Sequence, residues 1–320
     1  MFRRLTALGL GLVLLAGCGT EGLRETPADP GETPPATVEI TMADAQEAFD
    51  GLGDLADAWK DRDCAQIQQL TTGAEGAIAS GVCAAARDGY AAPAFRAYHD
   101  PEFLLPRRED GENGAWFAVL ARKPQPAYFV FVWEDGRWRL GAGPILLVGK
   151  APAMDGAVLD AEAVPDAAVA ARVAPTRHVA FLTDPSGVDG AGVSGVRLAS
   201  GDPMRRLLVE LVRAPGRARP DRLTTDVRIE GPARALALPA GGALVFHALR
   251  VVFTQKPGSG RSSLAHPRYR AADVRAFTGG AATTVTGGEI VVLATKVAKD
   301  TTMTTIGMRR VLADIRKGSG

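Results

Sequence analysis

Two kinds of hydrophobic period alternate along this chain, and their order constrains its fold more than any single residue does. From Thr41, the apolar positions Ala45, Ala48, Phe49, Leu52, Leu55, Ala56 and Trp59 recur at three- and four-residue steps, predicting one amphipathic helix despite Gly51 and Gly53. Thr41 with Asp44 gives a T-x-x-D start, in which each side chain can satisfy a backbone N–H at the helix end. Asp63 is placed to cap a second, short helix carrying Cys64, Ile67 and Leu70. A third, from about Ala74, puts Ile78, Val82 and Cys83 on one face. From Glu102 the pattern becomes runs of aromatic and branched residues bounded by turns: Phe103–Leu105, Trp116–Leu120, Tyr128–Trp133 and Trp138–Leu140. Between the last two, Glu134-Asp135-Gly136-Arg137 supplies the Asp-Gly pair that a tight hairpin needs.

The same order returns in the second half. Val169, Val173, Val179 and Leu182 suggest a helical region interrupted by Pro175 and ended by a Gly-rich loop at 187–195. Asp202-Pro203 then opens a helix for Met204, Leu207, Leu208, Leu211 and Val212, although a strand fits the same residues. After a loop at 213–220, the strands expected are Leu223–Ile229, Ala233–Leu238, Ala243–Phe253 and Glu289–Val297. Met303–Leu312 stays ambiguous between strand and helix. Helices followed by antiparallel strands, twice, predict an α+β chain with a domain at 38–148, a linker at 149–165 and a second domain at 166–320. No residue-level repeat relates the halves.

The first 37 residues follow other rules. Arg3 and Arg4 precede an apolar run, Leu5 to Ala16, that is far shorter than the roughly 20 residues a membrane-crossing helix requires. It is followed by Leu15-Ala16-Gly17-Cys18, which resembles the lipobox of bacterial lipoproteins. The resemblance implies a signal peptide at 1–17, cleavage between Gly17 and Cys18, and a diacylglycerol on the Cys18 thiol. The chain is then expected on the extracytoplasmic face of the cell membrane, its partner there being the membrane itself. Residues 18–37, with Pro27, Pro30, Pro34 and Pro35 and little that is apolar, read as a tether reaching about 25 Å. With Cys18 assigned to lipid, Cys64 and Cys83 are the remaining thiols in an oxidising setting and are expected to form a disulfide. Two separately buried thiols are the alternative.

The segment Ala58-Trp59-Lys60-Asp61-Arg62-Asp63-Cys64, then Leu70-Thr71-Thr72 and a Trp-rich meander, resembles the NTF2-like, or cystatin-like cone, fold over about residues 40–148. Gly241-Gly242-Ala243-Leu244-Val245-Phe246, leading into a long strand, resembles an uncharacterised C-terminal domain of actinobacterial lipoproteins over roughly 155–315. The resemblances imply two cone-like bodies with helices on curved antiparallel sheets. They also imply an apolar pocket in the first, for which Trp59, Trp116, Phe129 and Trp133 are candidate lining residues.

Several function classes lose support at this level. The net charge is +1, and loss of Arg3 and Arg4 with the signal peptide makes it −1, so no electrostatic case for nucleic acid arises. Gly190-x-Gly192-x-x-Gly195 has the letters of a dinucleotide motif without the flanking strand and helix that the motif needs. His99, His178, His247 and His266 are scattered, and no metal, cofactor or catalytic set emerges from them. His247 reads as a hydrogen-bonded or surface histidine, and His99-Asp100 as a cap at a helix-to-sheet junction. Arg213, Arg217, Arg219 and Arg222, among Pro215, Gly216 and Pro220, read as a solvated loop able to meet anionic lipid or wall polymer. The expected role is a non-catalytic scaffold for envelope proteins or cell-wall polymer. The alternatives are a carrier or sensor of a small apolar ligand and, third, an NTF2-like enzyme.

Overall fold

The computed structural model describes residues 40–107, 114–154, 158–186 and 196–318. Gly17, Cys18, the tether and the 187–195 loop lie outside the described residues. The described residues from 40 to 318 pack as one compact unit.

Thr41 and Asp44 form the capping box, but the helix they start ends at Gly51. In place of one helix there are two, α1 (Met42–Asp50) and α2 (Leu52–Asp61). A glycine inside a helix costs about 1 kcal/mol relative to alanine, so the break falls where continuity is worth least. The Asp63 carboxylate accepts from the backbone of Ala65 and Gln66 and starts α3 (Cys64–Leu70). A longer helix, α4 (Gly73–Arg87), follows. Cys64 and Cys83 are disulfide-bonded, joining α3 to α4.

Four antiparallel strands come next, in spatial order β1-β2-β3-β4: His99–Leu104, Trp116–Lys123, Ala127–Glu134 and Arg137–Leu146. At the β3–β4 turn Asp135 and Gly136 have φ of 51° and 74°, as the Asp-Gly pair requires. His99 and Asp100 open β1 rather than capping a helix.

The second half adds α5 (Pro165–Thr183) and α6 (Pro203–Arg217). Pro175 does not interrupt α5, and Pro215 does not end α6. Arg213 and Arg217 are therefore helical and not in a loop. The strands are β5 (Arg222–Ala237), β6 (Ala243–Lys256), β7 (Val285–Val297) and β8 (Met303–Lys317), paired antiparallel in that order. The two segments expected on either side of Gly231 are one strand, β5, with a bulge between Glu230 and Arg234. The ambiguous Met303–Leu312 run is strand. A helix not foreseen, α7 (Ala271–Thr278), lies between β6 and β7.

The sheets stack face to face. Phe117, Phe129 and Phe131 point from the first sheet toward the N-terminal helices, where Phe49 of α1 meets Phe129 edge-on at 5.8 Å. Trp116 and Tyr128, on the opposite face, meet Phe246 of β6 at 6.4 and 5.2 Å. Leu244, Ile290, Val292 and Ile306 complete this shared core. On the far face of the second sheet Val245, Leu249, Val251 and Leu293 form a separate core with Phe181, Leu208 and Leu211 of α5 and α6. The segment expected as a linker is held from both sides: Arg107, just past β1, donates its N–H to the Val158 carbonyl at 2.9 Å, and Ala237 of β5 donates to that of Leu159 at 3.0 Å.

Helix α4 ties the halves together. Glu75, 4% exposed, takes two hydrogen bonds from Arg309 of β8, at 2.6 and 3.2 Å, and one from the Gly143 N–H at 3.2 Å. One turn and a half further on, Gly81 lets the helix approach β8 so closely that a Cβ there would lie 2.1 Å from the Ala313 carbonyl oxygen.

Candidate functional site

Where α1 and α2 pass over the end of the β3–β4 hairpin they leave an open groove of ≈ 440 Å³. Its geometry follows from the pairing: Phe131 faces Leu140 and Trp133 faces Trp138 in register, so three aromatics and a leucine share one face. The indoles of Trp133 and Trp138 stand edge to face, 5.3 Å apart. Leu52, Leu55 and Leu70 supply the helical wall. The rim is acidic: Asp44, Glu47 and Asp54 look onto it from the helices, against Arg137 from the turn. Asp44 is partly committed, because its carboxylate closes the capping box with the Thr41 N–H at 3.2 Å. Glu47 and Asp54 are exposed. Half-buried indole faces beside free carboxylates suit a cation carried on an apolar stem, through the ring quadrupole and the charges together.

The four candidate pocket residues do not converge. Of them, Trp133 alone lines this groove. Phe129 fills the interior beneath Phe49 and Tyr98, and a Cβ on Gly143 would reach its ring at 2.8 Å. Trp59 is buried and stacks on Phe95 at 6.3 Å. Trp116 faces the other way: its indole N–H donates to Asp160 at 3.0 Å, and it lines a different cavity of ≈ 260 Å³ between α5 and the β5 bulge. Pro175, Pro232 and Ala233 also line that cavity. A third, of ≈ 140 Å³, lies under α7 and is lined by Leu264, Tyr269, Val274 and Val285. Glu47 and Asp54 are not among the candidates that the sequence offers, and Trp138 belongs to its aromatic meander without being one of the four lining candidates. A faint signal existed, since Glu47 and Asp54 are seven apart and so near one helical face, but their meeting with the hairpin is a tertiary event.

Two groups of polar side chains elsewhere in the fold are engaged with one another. His178 of α5 and His247 of β6 are both buried, with Nδ1 of the first 2.9 Å from Nε2 of the second. His247 is thus hydrogen-bonded and not at the surface. Burial pushes both imidazoles down, His178 well below its ordinary value and His247 to about 4. On the outer face of β7 and β8, Arg310 chelates Glu210 at 2.7 and 2.9 Å and also pairs with Glu289. Arg268 joins the same two carboxylates at 3.1 and 2.9 Å and lies 3.4 Å over the Phe253 ring. Hydrogen bonding to Arg310 holds the Glu210 carboxyl down at about 2. Among the described residues no three His, Cys, Asp or Glu side chains group as metal ligands would. Comparison with protein-family models, curated proteins and solved structures finds no match to this chain.

Proposed function

We propose that this chain is a membrane-anchored envelope lipoprotein with a non-catalytic role, presenting the tryptophan groove to a cationic segment of another envelope protein. The anchor rests on the leader and Leu15-Ala16-Gly17-Cys18. The observation that carries the binding role is the groove itself, where Trp133 and Trp138 stand half-buried beside Glu47 and Asp54. Aromatic anchors in an open cleft with a charged rim are the usual composition of a binding hot spot. In-cell crosslinking from a photoreactive residue at Arg137 is expected to trap discrete partners, and to lose them when Trp133 and Trp138 are both replaced by Ala. Crosslinks unchanged by that double replacement would remove the groove from the function. Diacyl labelling that survives Cys18→Ser would remove the anchor.

The cavity beside Trp116 favours a second reading, carriage of a small ligand with an apolar body. Native mass spectrometry of protein purified gently from its host separates the two. A discrete extra mass released on denaturation supports the carrier.

A further inference from the structure

We propose that an arginine ridge along α6 and the adjoining strand ends docks this protein on an anionic phospholipid surface, with the tryptophan groove turned away from the bilayer. The inference builds on the anchored reading above. Arg206, Arg213 and Arg217 lie seven and four residues apart on α6, which brings them onto one face of the helix, and all three are exposed. Arg219 and Arg222 continue the ridge beyond the helix. Arg222 is opposite Lys256 in the β5–β6 register, and its guanidinium donates to the Ser259 hydroxyl at 3.2 Å. The loop after Lys256 is pressed against Pro220, since a Cβ on Gly258 would lie 2.6 Å from the Pro220 carbonyl oxygen. That holds exposed Arg261 beside the others.

These seven cations are not neutralised from within. Among the described residues none of them forms an ion pair. Glu210, on the same side of α6, is committed to Arg310 and Arg268. Asp221 is buried and accepts from the backbone of Ala265 and His266 at 2.9 to 3.0 Å. Val212, 40% exposed, adds an apolar contact among the arginines.

The form of the ridge selects its partner. Among the described residues, none of the seven lines any of these three cavities. Instead the charges run from Arg206 to Arg217, about 16 Å of helix, and past its end. Guanidinium groups pair with phosphate oxygens two bonds at a time, and an extended array of them matches a plane of headgroups. A basic patch is also the usual second signal that orients a protein already held by acyl chains. Because α6 covers the far face of the second sheet and the groove lies on the far face of the first, seating the ridge on lipid leaves the groove open.

The test uses mature full-length protein on vesicles of phosphatidylcholine, alone or with about 30 mol % phosphatidylglycerol. Flotation and amide hydrogen exchange are read together. Exchange across α6 and residues 256–261 is expected to slow about tenfold on the anionic vesicles at low salt, and to recover in about 0.5 M NaCl. Arg213→Glu/Arg217→Glu/Arg219→Glu should abolish that protection while the protein still floats and keeps its native circular dichroism. Arg→Gln at the same positions should give an intermediate effect. Equal exchange on both vesicles, or protection that survives the triple charge reversal, overturns the proposal. So does protection by soluble poly(glycerol phosphate) with none from anionic vesicles, which would make wall polymer the occupant. Failure to float with neutral vesicles while the anionic protection persists would sink the lipid anchor and leave the ridge standing.

Discussion

The two ends of this molecule are built alike and charged oppositely. Residues 41–63, the α1–α2 end, carry seven acidic side chains against Lys60 and Arg62. Residues 203–222, the α6–β5 end, carry six arginines against Glu210 and Asp221. Each is an amphipathic helical segment laid on a sheet. At the acidic end the helices leave an open cleft floored by tryptophans, whereas at the basic end α6 buries Met204, Leu207, Leu208 and Leu211 and none of the basic ridge opens into the three cavities. A cleft selects a side chain that can enter it, and a ridge meets a surface. A net charge of +1 conceals this polarity altogether.

The contrast has meaning only if both ends belong to one body, and the sharpest way to break it is at the contact joining them. Arg309→Met leaves the Glu75 carboxylate buried without its partner, which is expected to cost about 3–5 kcal/mol. In urea denaturation the variant should still show one transition at a lower midpoint. Two separated transitions would mean that the ends fold independently. A smaller loss, about 3 kcal/mol, is expected when Cys64 and Cys83 are both changed to Ser, since they close a loop of 19 residues and hold α3 to α4 under the acidic end. A loss below about 0.5 kcal/mol would make that end indifferent to its crosslink.

The basic end has its own probe in the buried histidines. Their folded-state values are depressed, so the unfolded chain binds the extra proton more readily, and stability present above about pH 6.5 is lost as the pH falls toward 4. Between pH 7 and 5 the loss is expected to reach about 2 kcal/mol for each histidine, and to vanish in His178→Phe/His247→Leu, as thermal melts at stepped pH would reveal. A pH slope retained by that variant would place the titrating groups elsewhere. The smallest effect concerns the rim. Glu47→Gln/Asp54→Asn should alter stability by no more than about 0.5 kcal/mol while reducing crosslinking through the groove. If crosslinking is unchanged, the aromatics act without the acidic rim.

Local signals were legible in advance where they depend on neighbours in the chain. The Thr41–Asp44 box, the Asp63 cap and the Asp135-Gly136 turn each came out as read, because a cap or tight turn is decided within about four residues. Proline breaks these helices less than its local chemistry predicts. Pro175 and Pro215 both sit inside helices, since packing of α5 and α6 on the second sheet outweighs one missing backbone hydrogen bond. As a result the arginines at 213 and 217 were legible as a cluster but not as a helical face. The pocket candidates failed for a different reason. Period-two alternation separates the faces of a strand, so Trp116 and Phe129 could be told apart, but alternation does not say what covers each face.

The sequence by itself determined the α+β class, the helices-then-strands order of each half, several caps and the β3–β4 turn, and the supply of charge, all through periodicity and short-range chemistry, but not α7 or the strand at Met303. Only the tertiary structure decided that both sheets share a core, that Glu75 meets Arg309 across 234 residues, and that Trp133 and Trp138 stand beside Glu47 and Asp54. The physical reason is that hydrophobic burial is non-directional. It dictates that a face be covered, while the partner that covers it is selected by packing between elements distant in the chain.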